Sequence, residues 1–205
     1  MINLNNWTDD TQTSSNSNVN ILNLQKNDIL NLTKKNPGVK KVNFCAGWDI
    51  ATSGADFDLD IGAYLLHENG KIVGGQDVVF YNHMECPGVK LLGDNRTGAG
   101  DGDDEIISLD LSKISPNITR IVFVITIFEA ETRQQSFGMV NNSYVRLLDV
   151  ANEKQELCIY PLKEQFSTET AVIAAELIRE NGEWQFHTIG EGKHADLNGI
   201  LALYR

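Results

Sequence analysis

Cysteine is scarce in this sequence, positive charge is in deficit, and long apolar runs are missing. The three cysteines, Cys45, Cys86 and Cys158, are odd in number and far apart, which excludes a disulfide framework and a CxxC metal site. They read as buried or reduced thiols, as suits a reducing compartment. The longest apolar stretch, IVFVITIF at 121–128, falls far short of the roughly 20 residues that a membrane helix needs. The N-terminus shows no basic segment followed by an apolar one. A soluble, cytoplasmic protein is therefore expected. With 17 basic against 28 acidic residues the formal net charge is −11. Such a surface repels phosphate backbones and anionic membranes, so nucleic acid and direct membrane insertion are not expected, and cations or basic proteins are the favoured partners. His67, His83, His187 and His194 show neither H-x-x-H nor H-E-x-x-H spacing, and no GxSxG or Walker-type loop occurs. Neither a transition-metal site nor a nucleophilic active site is expected.

What is present is enough apolar material for one core, 41% of 205 residues. Residues 1–19 are rich in Asn, Ser and Thr and cannot bury enough surface to offset the entropy of ordering. They are expected to be a disordered tail ahead of a single domain at 20–205. Beyond the tail, short apolar or alternating runs recur between turn signals, the pattern of an all-β, two-sheet sandwich with little helix. The runs at 28–33, 39–48, 56–66, 71–74, 77–81, 105–111, 120–129, 143–149, 156–161, 170–180 and 183–189 are expected strands. Asn69-Gly70 and Asn181-Gly182 each supply the paired positive-φ positions of a type I′ turn. Helical signal is confined to 196–204, where Asp196 can cap a turn or two, although the Ala and Glu residues at 174–176 also read as helix. Trp48 and Trp184 lie in alternating segments and are expected in the core.

Two segments carry the chemistry. In DFDLDIGAYLL at 56–66, strict alternation places Phe57, Leu59, Ile61, Ala63 and Leu65 on one face and Asp56, Asp58 and Asp60 on the other. Same-face carboxylates then stand about 7 Å apart. The second segment, GDNRTGAGDGDDE at 93–105, gathers Asp94, Asn95, Asp101, Asp103, Asp104 and Glu105 among glycines that let the backbone fold back and turn carbonyls inward. Two like charges about 5 Å apart repel by roughly 3 kcal/mol at an effective dielectric of about 20, a cost that a hard divalent cation removes. Calcium accepts many carboxylate and carbonyl oxygens in flexible geometry, whereas magnesium demands a tight octahedron. The loop is not an EF-hand, because Arg96, Gly98 and Ala99 stand where that loop needs acids and then glycine. The alternative is a solvated acidic surface.

With these segments in view the chain resembles the TerD family of tellurite-resistance and stress proteins. The resemblance rests on GWD at 47–49, FDLD at 57–60, GDNRTGAGDGDDE at 93–105 and FGMVNNS at 137–143, and it spans residues 20 to about 200. It implies a β-sandwich with acidic loops at one end binding two calcium ions. The ligands it implies are Asp58, Asp60, Asp94, Asn95, Asp101, Asp103, Asp104 and Glu105, with Asp49 as a further ligand or as a group that orients one. Asp56 has no counterpart in the motif. The resemblance also implies a binding or scaffold protein rather than an enzyme, working with other stress-complex proteins that include membrane-associated ones. Two alternatives stay open: a carboxylate- or metal-dependent hydrolase using a pair such as Asp58 and Asp103, and a calcium-assisted nucleotide or small-ligand binder. Gln135, Ser136, Phe137, Asn141 and Asn142 are expected to shape a loop that buttresses the metal sites. Glu129 and Glu131 are expected to face solvent.

Overall fold

Alternation becomes strand most visibly at Glu105–Asp110, where Glu105, Ile107 and Leu109 are buried and Ile106, Ser108 and Asp110 are half-buried. The computed structural model describes residues 22–49, 57–93, 102–152, 155–162 and 166–205; the expected tail at 1–19 lies outside them. The strands are β1 (Leu22–Asn23), β2 (Ile29–Asn31), β3 (Lys41–Asp49), β4 (Leu59–His67), β5 (Val78–Val79), β6 (Glu85–Cys86) and β7 (Val89–Leu91). They continue with β8 (Glu105–Asp110), β9 (Ile118–Ile127), β10 (Asn141–Asp149), β11 (Gln155–Pro161), β12 (Ala171–Glu180) and β13 (Glu183–Lys193). Short helices stand at α1 (Leu32–Lys35), α2 (Ala130–Arg133) and α3 (Leu197–Leu201). Among the described residues no helix is long and apolar enough to cross a membrane.

The strands form two sheets, ordered β1-β11-β10-β3-β8-β7-β6 and β2-β13-β12-β9-β4-β5. Pairing is antiparallel except for β1, which runs parallel to β11. The all-β sandwich read from the sequence is the observed architecture. Its two inner faces meet at Phe44 of β3 and Phe123 of β9, whose rings stack with centroids 4.1 Å apart and planes within 8°. Trp48 and Trp184 are both in this core. The second sheet is buried on its outer face as well: Tyr64, Val122, Val124 and Ile173 pack beneath Ile200 and Leu201 of α3. That cover is fixed by Tyr64 donating its hydroxyl to the Leu197 carbonyl at 2.7 Å and by Ile72 N–H donating to the Tyr204 carbonyl at 2.8 Å.

The same C-terminal cover accounts for one departure from the expected strands. Residues 71–74 form no strand, because the Ile72 N–H is taken by Tyr204, and Asn69-Gly70 is no type I′ turn: Gly70 has a φ of 74° but Asn69 does not adopt positive φ. Instead the Asn69 side chain accepts from Lys71 N–H at 3.0 Å. Asn181 and Gly182, with φ of 52° and 81°, do make the tight β12–β13 hairpin. The run at 28–33 is cut short because Asn31 caps α1, accepting from Lys34 N–H at 3.0 Å. Ala174 and Ala175 lie fully buried in β12, where tertiary packing overrides their helical propensity. The C-terminal helix forms with Asp196 as its cap, accepting from Gly199 N–H at 2.7 Å.

Candidate metal centre

Three strands deliver acidic residues to one end of the sandwich. In the β3–β8 ladder Ala46 stands opposite Glu105, and one step further Asp104 N–H donates to the Ala46 carbonyl at 2.9 Å. Where the backbone leaves the ladder, the Asp104 carboxylate takes over and accepts from Trp48 N–H at 2.9 Å. The Trp48 indole donates to the Phe57 carbonyl at 3.3 Å, which ties the start of the FDLD segment to β3. Asp58 is placed in turn by its carbonyl, which accepts from Phe128 N–H at 2.8 Å.

Glu105 joins the two sheets. In β4, β5 pairs only with Ala63 and Tyr64, so beyond them the strand edge needs another acceptor. Glu105, 1% exposed, supplies it by accepting from Ile61 N–H at 2.7 Å. Asp60, 5% exposed, stands opposite Thr126 of β9 in the same region. Asp60 lies on the face opposite Ile61 and Ala63, as alternation requires, but there that face is buried rather than washed by solvent; Asp58 precedes the strand and Asp56 lies outside the described residues.

Asp103 is engaged differently. Arg146 of β10 grips it with two bonds, Nε to Oδ1 at 2.8 Å and Nη2 to Oδ2 at 3.0 Å, and reaches Glu156 of β11 with Nη1 at 2.7 Å. Burial works against the guanidinium charge, but the bonds to Asp103 and Glu156 outweigh it and raise the Arg146 pKa above its ordinary value. Tyr144 completes the cluster, donating to the Gly102 carbonyl and to Asp103 at 3.1 and 3.2 Å. Burial first, and then the Asp103 charge, push the Tyr144 phenol up to about 12. Its ring explains the glycine of GWD: a Cβ on Gly47, its partner across the β3–β10 ladder, would stand 2.5 Å from the ring. Sequence reading missed Tyr144, Arg146 and Glu156, since alternating polar residues on a strand are indistinguishable from an ordinary solvent face.

Of the residues expected to buttress the site, Asn142 does so directly, donating its side-chain amide to Asp49 at the end of β3. Asn141 stands opposite Asp49 in the β3–β10 ladder, while Ser136 and Phe137 serve a neighbouring loop. Ser136 donates to the Ser167 carbonyl at 2.9 Å, Phe137 N–H to the Glu169 carbonyl at 2.9 Å, and the Phe137 ring packs edge-on against Phe166. Glu129 and Glu131 are exposed as expected. With Asp60 they line a cleft of about 490 Å³ between the end of β9 and the start of α3.

Asp49, Asp58, Asp60, Asp103, Asp104 and Glu105 are thus brought to one end, while Asp94, Asn95 and Asp101 lie outside the described residues. Among the described residues no three His, Cys, Asp or Glu side chains converge tightly enough to hold a metal ion. The donor chemistry fits a hard cation, being carboxylate and carbonyl oxygen throughout. The thiols do not fit a soft one: burial pushes Cys158 up to about 12 and Cys86 up to about 11, so neither is a thiolate at neutral pH.

The TerD domain model matches residues 21–204. The chain is 43% identical over 184 residues to tellurium resistance protein TerD of Serratia marcescens, spanning 88% of this chain and 95% of that one. It is 46% identical over 187 residues to general stress protein 16U of Bacillus subtilis, spanning 89% and 96%. The crystal structure of the unknown function protein SAV2460 superposes with a TM-score of 0.67 at 26% identity, covering 80% of this chain and 95% of that one. A homologue of telluride resistance protein (TerD) from Streptomyces coelicolor A3(2) shares the fold alone, with a TM-score of 0.65 at 24% identity and coverage of 78% and 94%.

Proposed function

The chain belongs to the TerD family, and from that premise we propose that it is a calcium-binding module of tellurium resistance and general stress response that works by binding partners rather than by catalysis. The observation that carries this reading is the gathering of Asp49 of β3, Asp58 and Asp60 at the start of β4, and Asp104 and Glu105 at the start of β8, at one end of the sandwich. Relatives named for tellurium resistance and for general stress support the biological setting. These acids, with Asp94, Asn95 and Asp101 from the Gly/Asp loop, are the candidate ligands of two calcium ions. Asp103 belongs to the same set but shares its oxygens with Arg146, which orients it.

Bound calcium supplies the positive charge that clustered carboxylates lack. The chain's own residues do the rest. Backbone N–H groups of Trp48 and Ile61 orient Asp104 and Glu105, and Asn142 orients Asp49. Arg146 limits the repulsion around Asp103 by an internal cation. The calcium-loaded acidic end then offers a docking surface, and the net charge of −11 favours basic proteins of a stress complex as its partners. The hydrolase reading is the weaker one, because both oxygens of Asp103 are occupied by a guanidinium.

Titration calorimetry on chelator-stripped protein tests the proposal. Two calcium equivalents should bind, magnesium should not match them, and Asp58→Asn or Asp104→Asn should each weaken binding at least tenfold, as loss of a charged ligand worth about 1.4 kcal/mol or more predicts. A flat calcium titration would reduce the acidic end to a charged surface.

A further inference from the structure

The cleft beside Asp60 has walls that a metal ion does not need. Tyr81, in the loop after β5, and Phe128, just past β9, both line it with rings 6.3 Å apart at 86°, and they are 36% and 37% exposed. The two rings, in edge-to-face contact and each partly exposed, give the cavity an aromatic wall. The floor is polar and buried: Asp60 and Thr126 are register partners on β4 and β9, 5% and 2% exposed. Glu129, Glu131 and Asp196 stand at the rim. No Lys, Arg or His is among the described lining residues, and the nearby Arg133 guanidinium is turned to the Phe128 carbonyl at 3.5 Å. After burial, the charges of Asp60 and Asp196 raise the Tyr81 phenol above its ordinary value, which registers a negative field at this wall.

We propose that this cleft binds a small organic cation of the substituted-ammonium class, with Tyr81 and Phe128 against its alkyl face and Asp60 and Glu129 balancing its charge. The volume, about 490 Å³, lies in the range of small-ligand sites. A soft, weakly hydrated ammonium gains from aromatic faces through cation–π attraction, whereas a strongly hydrated calcium ion does not. The ligand is a free small molecule because the cleft is concave and has its own floor. The cleft shares Asp60 with the proposed calcium ligands, so the proposal is tested in chelator, where Asp60 carries no metal.

Choline is the probe, and its uncharged carbon isostere 3,3-dimethyl-1-butanol is the control, each followed by NMR titration of the full chain. Choline should give saturable shifts at Tyr81, Phe128 and Thr126, and the isostere should bind about tenfold more weakly, the factor expected for a cation–π and carboxylate contribution. Tyr81→Leu and Glu129→Gln, both at exposed positions, should each weaken choline about three- to tenfold while leaving the remaining spectrum in place. Asp104 does not line the cleft, so in chelator Asp104→Asn should keep the choline response. Equal binding of choline and the isostere, or the absence of saturable shifts in the millimolar range, would overturn the assignment.

Discussion

Phe44 and Glu105 sit on neighbouring strands and are equally shut away from water, at 0% and 1% exposure, yet they are kept there by different physics. Phe44 lies in the apolar middle, stacked on Phe123, and needs only its neighbours' surfaces. Glu105 lies at the acidic end and is tolerable in the interior because a backbone N–H from the opposite sheet meets it. The middle is held by area, which is indifferent to ions. The end is held by directed bonds to charged groups, so it must respond to whatever changes the charge. One sandwich thus contains an area-held scaffold and an end held by charge.

The largest effect on this contrast should come from the middle. Phe123→Ala removes the stacked ring and should cost about 3–5 kcal/mol in urea unfolding, with the same loss in chelator and in calcium. A loss that depends on calcium would mean that the two regions are not separable. Glu105→Ala should cost less, about 1–3 kcal/mol, by leaving the buried Ile61 N–H without its acceptor. Here the loss should change between chelator and calcium. Arg146→Met comes next, at about 1–2 kcal/mol, since the guanidinium is partly exposed and water screens its bonds to Asp103 and Glu156. Arg146→Lys should not restore the loss, because an ammonium cannot reproduce the fork.

The smallest effect is a pH dependence. The folded state holds the Tyr144 proton more tightly than the unfolded chain, with a pKa of about 12 against 10.0. Its contribution is therefore complete below about pH 10 and is lost as the pH rises towards 12. Tyr144→Phe should flatten the alkaline fall in stability over that interval relative to the parent protein, and an unchanged fall would place the titration elsewhere.

The same division governs how much could be read from the residues. Alternation at 105–110, the apolar run of β9 and the Asn181-Gly182 turn are local signals, and each became the element it predicts. The acid clusters stood out because carboxylates so close together in sequence demand an explanation, although Asp94, Asn95 and Asp101 lie outside the described residues. The fate of 71–74 was hidden because it is decided by Tyr204, far along the chain. Arg146 was hidden because its partner, Asp103, lies 43 residues earlier and meets it only across the β10–β3–β8 ladder. Likewise, nothing in the sequence around Phe128 announces that its ring faces Tyr81. What alternation and turn chemistry control is visible in one sequence, while pairings set by sheet order are not.

Calcium is expected to act on the acidic end and to leave the core alone. Amide hydrogen exchange of the full chain in chelator and in calcium measures both at once. Calcium should slow exchange at Trp48 and Ile61, whose N–H groups bond Asp104 and Glu105, and leave Phe44 and Phe123 unchanged. Equal exchange at Trp48 and Ile61 in the two conditions would contradict it.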